Sequence, residues 1–285
     1  MRRLALLILA TAMTLARPPA AGGDWPALAS GPLQDNSFLL EEAYNQEAGV
    51  VQSIVESIWR RDNGDWLLTF TQEWPVPDQR NQLSYTLVAG WAGEPGTASG
   101  LGPVALNYRY QALDEDTRRP AVAPRLTVLL PTGTLADETG TGSTGVQLGL
   151  PVSKQLGRHW AAHVNLGTTI YPHAEAPDDP ARHQRLVAGG GGASLIWEPV
   201  DAVHLLCEVL LQDSEEITAR ATTHHAHGIV NPGIRAGWNG PGGVQWVWGI
   251  AMPIGFAHDA GDLGVLLYLS VELGITPAAR RARDW

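Results

Sequence analysis

From Val50 onward, hydrophobic and polar positions alternate with period two through run after run. In "GVLLYLSVELGI", Val265, Leu267, Leu269, Val271, Leu273 and Ile275 share one face, while Gly264, Tyr268, Ser270, Glu272 and Gly274 share the other. Trp160, Ala162, Val164, Leu166 and Ile170 likewise oppose His159, His163, Asn165 and Thr169, and Val104, Leu106, Tyr108 and Tyr110 oppose Asn107 and Arg109. Successive side chains of a strand point to opposite sides of a sheet, so each run reads as a strand. Twelve such runs follow one another, most of 10 to 13 residues, with turn residues between them and no stretch of helical period. Globular strands are typically about 5 or 6 residues, whereas a tilted membrane strand needs about 9 to 11.

Alternation alone fits a water-soluble sandwich as well as a membrane barrel; three patterns separate them. The connections "QLGRH", "EPVDA" and "NGPGG" are tight, whereas "TGTLADETGTGS", "PHAEAPDDPARH" and "SEEITARATTHHAH" are longer and polar. Short turns at one end and long loops at the other are the outer-membrane arrangement, and an even strand count puts both termini at the short-turn, periplasmic end. Trp59, Trp66 and Trp91 fall near long-loop ends, and Trp74, Trp160, Trp197, Trp238 and Trp246 near short-turn ends. Indoles sorted to both rims form the two aromatic girdles of a barrel in lipid. Finally, Arg109, Arg125, His163, Glu208, Arg235 and Glu272 recur in mid-strand, which would be costly in a dry core and is ordinary in a wet lumen. The expected fold is all-β: a transmembrane antiparallel up-and-down β-barrel of about 12 strands over residues 50–276, with a tail over 277–285.

Pro124, Pro151, Pro232 and Pro253 interrupt the runs and predict bulges or strand ends. The glycines of 189–192 predict a bend, or a close approach of lumen contents to the backbone. At the other terminus, "MRRLALLILATAMTLARPPAAGG" has two arginines, an apolar stretch too short to span a membrane, and small residues, which is a signal-peptide pattern over residues 1–21. The single cysteine, Cys207, excludes an intramolecular disulfide. Its strand position is shared with Val203, Leu205, Val209 and Leu211, on the expected lipid face. A formal charge of −10 argues against a nucleic-acid partner.

"NSFLLEEAYNQEAGVVQ", residues 36–52, is the least ordinary stretch, crowding acids among bulky apolar groups before the first strand. Entering from the periplasm, residues 22–49 need a surface for their apolar side chains and cations for their carboxylates. A short helix or extended segment lodged in the lumen supplies both, making Phe38, Leu39, Glu41, Glu42, Tyr44 and Glu47 the expected plug, with Arg109, Arg125 or Arg235 as partners for the acids. A lead-in resting at the barrel mouth is the competing reading.

"NSFLLEEAYNQEAGVVQ", "GLGPVALNYRYQ", "PRLTVLLPTG" and "GSTGVQLGLPVSKQLGRHWAAHVNLG" are similar to outer-membrane proteins of the phenol-degradation meta-pathway (MetA-pathway) family. The resemblance covers much of residues 36–170 and thins beyond them. It implies an outer-membrane barrel with a role in moving hydrophobic or aromatic compounds, and it carries over no catalytic residue.

Twelve strands lie between the filled lumen of small barrels and the open water of large ones, which predicts a narrow or plugged channel. Asn107, Arg109, Arg125, Gln147, His163, Asn165, His204, Glu208, Asn231, Arg235 and Glu272 are the expected lumen lining. The expected function is an outer-membrane channel or transporter for small molecules, hydrophobic or aromatic ones among them. Alternatives are a non-conducting structural or adhesion barrel and, third, a membrane-embedded hydrolase. Ser214 and Ser270 have no local histidine and no G-x-S-x-G occurs, so no catalytic residue is expected. His224, His225 and His227 read as a solvated loop without a carboxylate at ligand spacing, so neither a metal nor a cofactor is expected. Expected partners are outer-membrane lipid, the barrel-assembly machinery during insertion and an unidentified small ligand.

Overall fold

The structure, a computed structural model, describes residues 35–93, 99–137, 139–176, 179–217, 222–240, 242–257 and 262–283. The expected signal segment, residues 22–34 of the expected plug and Trp285 lie outside these. Fifteen strands form among the described residues. They are β1 (Val50–Arg60), β2 (Trp66–Pro75), β3 (Asn81–Trp91), β4 (Ser99–Leu101), β5 (Val104–Tyr110), β6 (Ala121–Val122), β7 (Arg125–Leu130) and β8 (Gly145–Gln155). After them come β9 (Trp160–Ala176), β10 (Asp179–Val200), β11 (Val203–Ile217), β12 (Thr222–Gly240), β13 (Val244–Ala251), β14 (Ile254–Ala257) and β15 (Gly264–Gly274).

Every pairing is antiparallel. Sequence neighbours lie side by side, β1 pairs with β15, and β11 pairs with β12, so the sheet closes on itself. Three pairs, β4 with β5, β6 with β7 and β13 with β14, are interrupted halves of one strand each, which gives a barrel of twelve strands. At Gly102 and Pro103 the interruption is a bulge, because Ala89 faces Leu101 whereas Thr86 faces Ala105. The first and last strands run in register from Val50 opposite Gly274 to Arg60 opposite Gly264, leaving no open edge.

The burial order inverts that of a soluble protein. Along β5, Ala105, Asn107 and Arg109 are buried while Leu106, Tyr108 and Tyr110 are exposed. Leu148, Leu166 and Leu211 are each more than half exposed on the outside, a surface suited to hydrocarbon and not to water. Tryptophans pair at both rims: Trp59 with Trp66 at one end, and Trp160 with Trp197 and Trp238 with Trp246 at the other, the last two pairs stacked at 6.2 and 6.1 Å.

Three sequence expectations are corrected. The described parts of the polar stretches after the seventh and ninth runs are strand, not loop: β9 continues to Ala176 and β10 begins at Asp179, while β11 continues to Ile217 and β12 begins at Thr222. Hydrophobic alternation stops where these strands leave the apolar band, but antiparallel pairing of the backbone does not depend on it. His224, His225 and His227 therefore sit in β12, and His224 lies 3.3 Å from Asp213 and 3.7 Å from Glu215. No group of three or more metal-ligating side chains occurs among the described residues. The prolines divide: Pro124 and Pro253 fall at the strand breaks, but Pro151 and Pro232 stay inside β8 and β12. Ala123 N–H donates to the Pro151 carbonyl and Met252 N–H to the Pro232 carbonyl, so each in-strand proline turns its missing donor toward its neighbour's break. Finally, Pro277–Arg283 of the tail is a short helix, α1.

Candidate functional site

Residues 35–46 lie inside the barrel without helix or strand, bent at Phe38–Leu40 and at Ala43, and circle the inner wall as a belt, while Glu47 and Ala48 are exposed. An unpaired segment in a closed lumen must find partners for its backbone groups, since buried N–H and C=O are rarely left unmade. The wall supplies them from side chains, strand by strand. Arg235 on β12 donates to the carbonyl oxygens of Asp35 and Asn36. One oxygen of Glu208 on β11 accepts from Leu39 and Leu40 N–H at 2.8 and 3.1 Å. Asn165 on β9 accepts from Glu41 N–H and donates to the Glu41 carbonyl. Ser153 on β8 accepts from Ala43 N–H at 2.7 Å, and just past the end of β5 Gln111 accepts from Asn45 N–H and donates to the Ala43 carbonyl. Gln82 on β3 accepts from Gln46 N–H, after which the chain turns into β1.

Arg109 is the densest clamp. It donates to the carbonyls of Glu42 and Tyr44 and to the side chains of Asn45 and Gln82. A guanidinium's fixed fork of donors suits this simultaneous grip. Arg125 forms an ion pair with Glu41 and donates to Gln147, which donates in turn to Thr169. Glu41 is also 3.8 Å from Arg109.

The apolar side chains of the belt sit in notches made by missing side chains. Phe38 lies against Gly233 and Gly249, where a Cβ would stand 2.5 Å from the ring, and packs on Tyr268 with ring centroids 5.4 Å apart. Leu40 lies against Gly192, within the glycine run of β10. Both side chains are buried. Tyr44 packs on Ala121 and Ala123 and donates its phenolic hydrogen to Glu115.

All eleven residues expected to line the lumen lie on the inner face. Arg109, Arg125, Asn165, Glu208 and Arg235 hold the belt directly. Behind them, Asn231 donates to Glu208, His204 accepts from Arg235, and His163 pairs with Ser153. Asn107 joins Ser84 and Thr127 away from the belt, and Glu272 is buried beside it. Sequence reasoning missed Asp35, Gln52, Gln82, Gln111, Ser153 and Ser194. Asp35 accepts from Gln52 and Tyr268, while Ser37 and Ser194 bond at 2.7 Å. Gln111 shares the face of Arg109, and Gln82 is its cross-strand neighbour, so the alternation pattern held that signal.

The belt divides the interior. On the short-turn side lies a chamber of about 910 Å³ roofed by Glu42, Tyr44, Asn45 and Glu47. On the other side are smaller spaces of about 140 and 210 Å³, the first lined by Glu56, Glu73 and Thr71, the second by Leu39, Gln147 and Thr169. Arg109, Arg125 and Arg235 are engaged by the belt, whereas Arg80 and Arg158 at the short-turn side are not, and carboxylates outnumber arginines in the chamber lining.

No protein-family model matches the chain, and no curated protein does. Among solved structures it is similar to the COG4313 outer membrane channel from Pseudomonas putida F1, with a TM-score of 0.60, 14% identity, and coverage of 85% of this chain and 99% of that one. It is also similar to the NanC porin, with a TM-score of 0.50, 7% identity, and coverage of 76% and 98%. These likenesses establish the architecture: a porin-like closed barrel of twelve strands.

Proposed function

We propose that the chain is a bacterial outer-membrane channel for small molecules, with the belt as its gate and with the short-turn end and both termini in the periplasm. The carrying observation is that residues 35–46 are held across the lumen by side-chain hydrogen bonds and shallow notches, not by a sheet ladder. Such an element can leave without breaking the barrel, because β1 to β15 close without it. The two porin-like neighbours, named as a channel and a porin, favour the same reading. The MetA-pathway likeness adds hydrophobic or aromatic compounds as the cargo class.

The protein acts by passage and not by chemistry in this reading. The buried pair Ser153–His163 is the nearest approach to a nucleophile with its base, but Ser153 has no exposed surface and its hydroxyl already accepts from the belt. The tall β9–β12 extension favours a second reading, an adhesion barrel whose function sits above the membrane. Single-channel conductance in a planar bilayer tests the choice, using the full mature chain and a form lacking residues 22–46. Conductance that appears or grows on removing the belt supports a gated channel. Silence from both folded, inserted forms overturns it and leaves the adhesion reading.

A further inference from the structure

The belt consumes positive charge and leaves two of its own carboxylates without an ion pair: Asp35, which accepts from Gln52 and Tyr268, and Glu42. Glu41 meets Arg125, but the Glu42 side chain points into the chamber beneath the belt, and among the described residues no hydrogen bond or ion pair to its carboxylate is formed. The residue is only 6% exposed. A carboxyl group so placed is costly unless something pairs with it.

The chamber that Glu42 faces is acidic on balance. Six carboxylates (Glu42, Glu47, Asp114, Glu115, Glu198, Asp201) and three arginines (Arg80, Arg158, Arg235) line the chamber, a formal difference of −3. Arg80 pairs with Asp114, Lys154 pairs with Glu115, and Arg235 is spent on belt carbonyls and His204. Glu42, Glu198 and Asp201 form no ion pair among the described residues, and Arg158 is the one chamber arginine likewise unpaired, so the acids outnumber it. Tyr44, Ala161 and Ile196 add aromatic and apolar surface to the same chamber. A carboxylate beside an aromatic ring in a cavity of this size is the chemistry that recognises an organic ammonium ion.

We infer that the chamber beneath the belt is a binding site for a small organic cation, with Glu42 as its buried anchor. The inference rests on the barrel and belt geometry and deepens the channel reading by naming a cargo charge. Occupation would link cargo to gate, because the anchor belongs to the belt itself.

Burial, together with Asp35 nearby, pushes the Glu42 carboxyl up to about 8 against the opposing pull of Arg235 and Arg109, with Glu272 adding to the rise. His163, Glu198 and Asp201 face the same space from the barrel wall. A cation binding the ionised form must displace that proton, so affinity should climb toward about pH 8 and level off above it.

The test is isothermal titration of the full mature chain, folded in detergent, with benzyltrimethylammonium, whose charge does not titrate. Benzyl alcohol and benzoate serve as neutral and anionic comparators. Expected is saturable binding of the cation alone, weakened about tenfold or more in Glu42→Gln, as fits loss of a buried charge partner. The pair Glu198→Gln with Asp201→Asn, nearer the chamber mouth, should weaken it only about two- to fivefold. A cation that binds no tighter than benzyl alcohol, or a folded Glu42→Gln protein that binds like wild type, would overturn the site. If Glu42→Gln does not fold, the wild-type pH series decides: affinity flat between about pH 6 and 9 also overturns it. Binding is read without current, so a silent bilayer with intact binding counts against the channel alone, and conduction without cation binding counts against this site alone.

Discussion

The two halves of the belt are held by different means. Residues 35–40 are fixed by shape: Phe38 and Leu40 fill notches over Gly233, Gly249 and Gly192, with Arg235 and Glu208 closing on the backbone beside them. Residues 41–46 have few apolar anchors and are fixed by addressed hydrogen bonds from Asn165, Ser153, Gln111, Gln82 and Arg109. The first half depends mainly on volume. The second depends on donors and acceptors, each of which is costly to leave unmade once buried. In the proposed gate, residues 41–46 are the half expected to release first.

The largest effect expected is that of Arg109→Met. Removing a buried guanidinium strands the carbonyls of Glu42 and Tyr44, a loss of about 3–5 kcal/mol of belt seating. Hydrogen exchange should accelerate at the amides of 43–46 and hold at 39–40. Equal acceleration across the whole belt would show one cooperative unit and break the comparison. Phe38→Ala is the mirror experiment. It empties the notch at a cost of about 3 kcal/mol, and exchange should rise at 39–40 first.

Gly249→Ala sharpens the same point from the wall, since its Cβ would stand within 2.6 Å of the Phe38 ring. Overpacking of this kind costs about 1–3 kcal/mol, and limited proteolysis of the belt should be faster than in wild type. Combined with Phe38→Ala, most of the penalty should vanish, the remaining close contact being the Ile234 carbonyl at 3.1 Å, and an undiminished penalty would mean that Phe38 is not what the glycine accommodates.

The smallest effect is one of pH, at the Tyr44 tether. Partial burial raises the Glu115 carboxyl, but hydrogen bonds from Lys154, Tyr44 and Gln155 N–H, with the Lys154 charge, outweigh it and hold the group below its ordinary value. A depressed carboxyl stabilises the folded form above the unfolded value of about 4.3 and loses that contribution as pH falls through the folded one. The tether should therefore loosen only in acid, below about pH 4, and Lys154→Met should remove most of that acid response. Tyr44 fluorescence in a variant background lacking nearby tryptophan reads it.

Period-two alternation along residues 50–276 decided the barrel, its strand number and which face each side chain takes, because a strand has only two sides and lipid accepts only one kind of group. The same alternation put Arg109, Asn165, Glu208 and Arg235 on the inner face. It was blind where alternation ends: the upper reaches of β9 to β12 carry polar residues on both faces and pair through backbone groups that no side-chain pattern records. It was equally blind to the route of the belt. Which carbonyl Arg109 grips, that the Glu41 carboxylate pairs with Arg125 while that of Glu42 forms no ion pair among the described residues, and that Gln82, Gln111 and Ser153 complete the clamps were decided only when closure brought β1 through β15 around a segment with no ladder of its own. Local pattern fixes a side chain's direction; only the closed ring fixes what stands opposite it.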